Sequence, residues 1–299
     1  MHNEVAFPLH AERGAAYLTA PNIAARHAFS TRLGGVSTGV LESLNLSVRR
    51  GDTPENVREN WRRLGAAAGL DLTRAVYARQ IHSADVRIAH AADAQPPEHE
   101  PRFTCDGFVT NEPDVPLAVF MADCLPVLLH DPAAGVIGAV HCGWRGSVAD
   151  ILGAAVAQMC ALGAHPTDIR AAIGPGIGAC CFEVGPEVAA AAEALLNAPL
   201  GALARPRADG KALLDLKGVN ARRLVQLGVP AEQIAVCGRL HHVPAGRVLV
   251  APRDQWAARR AGRRHHPVQP KGAAAMKHLH LTRVLAFALA LVLLLGCTA

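Results

Sequence analysis

Residues 107–146, GFVTNEPDVPLAVFMADCLPVLLHDPAAGVIGAVHCGWRG, decide the fold. Four short apolar runs, 107–110, 117–121, 126–130 and 136–140, are separated by polar, proline or glycine punctuation, which is the pattern of adjacent buried strands. They read as a central sheet. From Gly146 the period changes, because Val148, Ile151, Leu152, Val156 and Met159 form a helical stripe directly after His141-Cys142-Gly143-Trp144-Arg145. A single helix is expected there.

Working outward, 169–173 reads as a strand entering Gly174-Pro175-Gly176-Ile177-Gly178, Pro186 opens an alanine-rich helix to about 196, 220–227 reads as a helix and 233–237 as a strand. Toward the N-terminus, 23–29, 75–81 and 86–89 read as strands, and 91–102 as a loop. Asp52, Pro54 and Glu55 start a helix with Val57, Trp61 and Leu64 on one face. The mixture is α+β, with several loops converging at strand ends.

The chain has 299 residues, 51% of them hydrophobic and 18% charged, so a sizeable core is expected and wholesale disorder is not. Aromatic residues are only 4%, which disfavours a nucleic-acid reader built on stacked bases. The formal charge of +5 misleads until it is located. Residues 235–299 carry ten of the 30 Lys and Arg and one acidic residue, Asp254, so the body is slightly acidic. No broad nucleic-acid footprint is expected. Eight Cys without a regular framework, and no apolar signal segment at the start, fit a reducing cytoplasm.

The division expected is one domain over 1–237, a basic irregular tail over 238–275 of the kind a shifted reading frame would produce, and a segment over 276–299 resembling a lipoprotein signal. That last string, MKHLHLTRVLAFALALVLLLGC followed by Thr-Ala, has a basic start and an apolar run shorter than a membrane span of about 20 residues.

Three residues combine ligand chemistry with loop placement: His82, Cys124 and His141. Two imidazoles and a thiolate can hold Zn²⁺ and leave the fourth tetrahedral position open. The spacings of 42 and 17 residues match no finger or ribbon pattern, so a Cys-His nucleophilic pair or unrelated buried side chains remain alternatives. Arg32 and Arg145, each near glycine, are candidate anion handles, against the simpler reading of capping or surface arginines. Gly174, Gly176 and Gly178 do not make a dinucleotide motif, because Gly178 arrives too early. Cys142, Cys180 and Cys181 could be soft ligands for copper or small buried hydrophobes. Glu183 is a candidate proton carrier or backbone cap. Asp106 and Asp123 are candidates for orienting an imidazole or main chain.

At these residues the chain resembles the YfiH family, also called the laccase-domain or polyphenol oxidase family. The resemblance is carried by TRLGGVSTG (31–39), NLSVRRGD (45–52), VRENWRRL (57–64), QIHSADV (80–86), CDGFVT (105–110), ADCLPVLLHDP (122–132), AVHCGWRG (139–146) and AAIGPGIGACCFEVG (171–185). These occur in family order and cover about 23–237. The resemblance implies a four-layer α/β/β/α sandwich like that of cytotoxic necrotizing factor, and His82, Cys124 and His141 as both metal ligands and catalytic residues. It implies zinc, with copper as second candidate, and phosphate or substrate contacts that include Arg32 and Arg145. It also implies a monomeric cytoplasmic enzyme acting on a small molecule, with no nucleic-acid or membrane partner for the domain: a metal-dependent purine nucleoside phosphorylase (adenosine, inosine, methylthioadenosine) with adenosine deaminase activity. The alternatives are a peptidoglycan-precursor editing hydrolase and a copper-dependent polyphenol oxidase, or laccase. After residue 237 the family's Phe-rich segment, Arg-Arg-Asp string and closing Thr-Gly-Arg do not follow, so the last strand is expected to be missing and a sheet edge open.

Overall fold

A computed structural model describes residues 4–11, 14–238 and 290–294. In chain order, the N-terminal part contains strands β1 (Glu4–Val5), β2 (Leu9–His10), β3 (Tyr17–Leu18) and β4 (His27–Ser30), then helix α1 (Pro54–Ala68). The middle contains β5 (Ala78–Arg79), β6 (Val86–Ile88), β7 (Phe103–Thr104), β8 (Gly107–Thr110), β9 (Leu117–Met121), β10 (Leu125–Asp131) and β11 (Val136–Cys142). Helices α2 (Trp144–Val148) and α3 (Ile151–Ala161) follow, then β12 (Arg170–Ile173), β13 (Glu183–Val184) and α4 (Pro186–Leu196). The rest is β14 (Ala204–Pro206), β15 (Ala212–Leu214), α5 (Leu216–Gln226), β16 (Ile234–Cys237) and β17 (Ala290–Leu294).

The four apolar runs of the opening stretch are strands β8 to β11. Three of them, β8, β10 and β11, lie in a seven-stranded mixed sheet of order β1-β16-β12-β10-β11-β8-β6, and the fourth, β9, lies in a five-stranded sheet of order β2-β3-β4-β17-β9. The central hairpin β10–β11 pairs seven residues, from Leu125 with Cys142 to Asp131 with Val136. Both strands are buried along their whole length, which is why they read as continuous apolar runs.

Alternation along these strands sorts side chains into different cores. Leu128, Ile137, Ala139 and Phe108 pack with Phe29, Leu117 and Val119 of the five-stranded sheet. Val127, Leu129, Val136 and Val140 face the other way and pack with Ile151, Val156 and Met159 of α3 and Leu224 of α5. Ala28 and Ala118, on the five-stranded sheet, pack with Val57, Trp61 and Leu64 of α1. The result is a mixed α/β fold with helices against both sheets.

Four sequence expectations change. The helix expected after Arg145 is two helices, because Asp150 takes a left-handed conformation (φ 64°) and caps α3 by accepting a hydrogen bond from the Gly153 amide. Helix α5 starts at Leu216 rather than 220, since Asp215 caps it through the Gly218 amide. The strand expected over 75–81 is only Ala78–Arg79, and the strand expected over 23–29 is His27–Ser30. A small sheet, β13-β15-β14, was not foreseen.

The expected open edge is also corrected. Strand β17 pairs antiparallel with both β4 and β9, Val292 opposite Phe29 on one side and Val119 on the other. Five residues from the segment resembling a lipoprotein signal thus occupy the interior of a sheet. The tail over 239–289 and residues 295–299 lie outside the described residues. No helix among the described residues is long and apolar enough to cross a membrane.

Helix α1 supports the loop over 45–52. Thr53 caps the helix through the Asn56 amide, Pro54 takes its first turn, and Trp61 donates its indole N–H to the Leu46 carbonyl at 2.9 Å. Buried Asn60 donates to the Asn45 carbonyl and Ser37 hydroxyl and accepts from the Val36 amide. The Asp52 carboxylate accepts from Ser37, Asn45, Asn56 and the Thr53 amide. Partial burial raises its pKa, but these bonds outweigh that and hold it below the ordinary Asp value.

Asn60→Ala should lower unfolding stability by about 2–3 kcal/mol in urea titrations, because buried partners lose their bonds. A carboxyl depressed on folding stabilises fully above its unfolded pKa, and that contribution is lost as pH falls through the folded value. Wild type should therefore lose urea resistance below about pH 4, and Asp52→Asn should lose less over the same window.

Candidate functional site

Four chain segments meet at one end of the central hairpin. His82 follows β5, Asp106 precedes β8, Cys124 precedes β10, and His141 lies near the end of β11. Their meeting follows from the pairing: β8 and β10 flank β11, so the residues entering the first two strands lie beside the residue leaving the third.

Asp106 is fully buried and its carboxylate accepts five hydrogen bonds. One oxygen takes the His82 amide at 2.9 Å and His141 Nδ1–H at 2.9 Å. The other takes the Ile81 amide (3.1 Å), the Ser83 amide (2.8 Å) and the Ser83 hydroxyl (2.9 Å). Burial pushes this carboxyl up, but the bonds from His141 and Ser83 win and hold it down at about 2. An ionised carboxylate only accepts, so His141 carries a proton on Nδ1 and turns Nε2 to the other side, where it can ligate a metal once that nitrogen gives up its proton.

The same carboxylate explains a strained residue. His82 sits at φ 62°, a left-handed conformation that side-chain-bearing residues rarely adopt, and amides 81, 82 and 83 are all tied to Asp106. The imidazole is thereby aimed at its neighbours. The His82 and His141 rings lie edge to face with centroids 4.9 Å apart, and Cys124 Sγ is 3.9 Å from His82 Nε2. One donor atom from each of His82, Cys124 and His141 falls within 4.8 Å of the others.

Burial raises the Cys124 thiol, yet its bonds to His141 and His82 bring it down to about 7. His141, pushed down by burial, is carried up by Asp106 and Cys124. The donors fit a metal ion. Two imidazole nitrogens and an easily ionised thiol, one imidazole oriented by a buried carboxylate, are a donor set that suits a three-ligand metal site. Gly143 completes the cradle, since a Cβ there would lie 3.0 Å from both Cys124 Sγ and His82 Cδ2.

Glycines also shape the far side. A Cβ on Gly176 would lie 2.6 Å from Leu125 Cδ2 and 3.0 Å from the Cys124 carbonyl, and the Ile177 amide donates to the Asp123 carbonyl at 2.8 Å. The loop over 174–178 therefore packs beneath Cys124, and its amide serves the protein's own backbone.

The three donors lie in a cavity of about 580 Å³. Asp123, Gln80, Phe120, Tyr77, Arg49, Arg50 and His99 are among its walls. Gln80 fixes one wall by pairing with both backbone groups of Phe120, each at 2.6 Å. Arg32 and Arg145 are not in these walls. Arg32 donates to the Glu42 carbonyl, and exposed Arg145 stacks on Trp144 with its guanidinium carbon 4.3 Å from the ring centroid. Glu183 pairs with Lys211 and Arg207 on the small sheet. Cys142 is buried with its thiol pushed well up by burial, and Cys180 and Cys181 are outside the ligating group. Sequence reasoning passed over Arg49, Arg50 and Gln80; the signal present was the Arg-Arg-Gly-Asp turn inside a matching motif.

Residues 26–241 match the family model described as "Multi-copper polyphenol oxidoreductase laccase". A protein of Deinococcus radiodurans named purine nucleoside phosphorylase is 45% identical over 217 residues, 72% of this chain and 80% of that one. One from an unknown prokaryotic organism, named adenosine deaminase, is 37% identical over 224 residues, 72% of this chain and 85% of that one. The crystal structure of YlmD from Geobacillus stearothermophilus superposes with a TM-score of 0.79 at 29% identity, covering 97% of this chain and 98% of that one.

Asp106→Asn should lower zinc affinity about 10–100-fold in a chelator competition titration, because His141 loses its orienting acceptor. Unchanged affinity would remove Asp106 from this role.

Proposed function

Because the chain belongs to the family of the multi-copper polyphenol oxidoreductase laccase model, with relatives named as enzymes of purine nucleosides, we propose that it is a zinc-dependent purine nucleoside phosphorylase that also deaminates adenosine. The observation carrying this reading is the placement of His82, Cys124 and His141 together in a cavity large enough for a nucleoside and a small second reactant. Inorganic phosphate is that reactant in phosphorolysis, and water in deamination.

His82, Cys124 and His141 would hold the ion. Zinc, when bound there, supplies Lewis acidity toward a substrate atom and toward the oxygen nucleophile. The protein's contribution is orientation. Asp106 holds His141 in one tautomer and keeps the strained His82 backbone from relaxing, so the ligands need little reorganisation during turnover. The cavity brings two reactants into contact, which supplies part of the rate by proximity alone. Phosphorolysis replaces the glycosidic C–N bond by a C–O bond to phosphate and returns the electron pair to the purine.

The test is chromatography of products from zinc-loaded protein incubated with adenosine, with and without phosphate. Adenine formed only with phosphate is expected, together with inosine that needs none. Neither product from folded, zinc-bound protein overturns the reading. His141→Ala should lower both rates by about 10²-fold or more if one site serves both reactions.

A further inference from the structure

Two exposed arginines, Arg49 and Arg50, are among the residues that line the cavity, and the protein leaves their charge largely unanswered. Arg49 and Arg50 stand on a short turn, Val48–Arg50, whose base is rigid. Ser47 Oγ accepts the Arg49 amide, Asn45 brackets Ser47 through its amide and carbonyl, and buried Asn60 holds Asn45. Gly51 closes the turn at φ 82°.

Most arginines around this region are engaged. Arg58 pairs with Glu98 at 2.7 Å, Arg62 and Arg63 with Glu59, and Arg32 with a carbonyl. Arg50 has no ion pair or hydrogen bond among the described residues, and the neighbouring acid, Asp52, spends its carboxylate on Ser37, Asn45, Asn56 and the Thr53 amide. Arg49 has one counter-charge: its Nε is 3.6 Å from Glu100 Oε2, an exposed and loose pair. Glu100 belongs to the segment over 96–101, of which Pro97, His99 and Pro101 line the cavity and which Tyr77 pins by donating its hydroxyl to the Pro96 carbonyl at 2.6 Å and the His99 carbonyl at 3.0 Å.

We propose that Arg49 and Arg50 form a phosphoryl-oxyanion subsite of this cavity, with Glu100 occupying Arg49 until the anion displaces it. The ligand class follows from the donors. Two planar forks on a fixed turn match the several oxygens of a phosphoryl group, and a carboxylate at 3.6 Å is a weak competitor for one of them. The anion is inorganic phosphate if the proposed phosphorolysis is correct, on which that assignment rests; the 5′-phosphate of a nucleotide has the same chemistry. Arg49 and Arg50 line the cavity, whereas Arg32 and Arg145 do not.

Calorimetric titration of zinc-loaded full-length protein with inorganic phosphate, and separately with AMP, tests the subsite without relying on turnover. The double variant Arg49→Ala/Arg50→Ala should bind phosphate at least about 10-fold more weakly, and Glu100→Gln about 3-fold more tightly. Arg62→Ala, which removes a cation outside the cavity, should change affinity less than 2-fold, separating contact from general charge. The double variant Arg49→Lys/Arg50→Lys should retain part of the binding. In turnover, the alanine double variant should raise KM for phosphate and leave KM for adenosine within about 2-fold. Wild type that binds neither phosphate nor AMP, or binding that is unchanged in the folded alanine double variant, overturns the proposal. Arg-dependent phosphate binding without adenine release would sustain the subsite and overturn phosphorolysis. Adenine release with an unchanged KM for phosphate would do the reverse. AMP binding that depends on both arginines while free phosphate does not bind would assign the subsite to a nucleotide.

Discussion

The arrangement depends on one buried carboxylate. Asp106 ties three consecutive amides of the segment over 81–83, one hydroxyl and one imidazole to a single point before β8. Removing water from a charge costs several kcal/mol unless donors replace it, and here five do. That requirement works both ways, since donors that satisfy the carboxylate are fixed by it. The His82 backbone is held in a conformation it would otherwise leave, and His141 is held with Nδ1 on Asp106 and Nε2 turned toward the other donors.

Around this point the cavity is assembled from segments that the sheets bring to one place but do not contain. Gln80 imitates a strand neighbour to Phe120, Tyr77 fastens the wall over 96–101, and Asn60 and Asp52 fasten the turn that carries Arg49 and Arg50. The floor fits an ion and the wall fits an anion. These are separate devices, one built on a buried carboxylate and one on cations left without a buried partner, and they meet in a single cavity.

Much of this was legible in the sequence because buried strands announce themselves. Strands β8 and β9 lie where their apolar runs place them, and α1 and α4 begin at their prolines. The grouping of His82, Cys124 and His141 came from family motifs, since no local spacing joins residues separated by 42 and 17 positions. Asp106 was named as an orienting group, but its five-bond role depends on pairing across β8, β10 and β11. Arg32 and Arg145 are absent from the cavity walls for a similar reason. Arg145 looked well placed beside a helix start and Arg32 beside two glycines, while the cavity wall is decided by where the loop over 45–52 folds against α1. Strand β17 was illegible as a strand because an unbroken apolar run is shared by buried strands and signal segments alike, and only a gap between β4 and β9 distinguishes them.

The central claim is that Asp106 organises His82, Cys124 and His141 into one metal centre. X-ray absorption at the zinc edge of the zinc-loaded protein tests it most directly. The account requires one ion per chain with one sulfur at about 2.3 Å and two imidazole nitrogens at about 2.0–2.1 Å. A shell without sulfur, or without imidazole scattering, would contradict it.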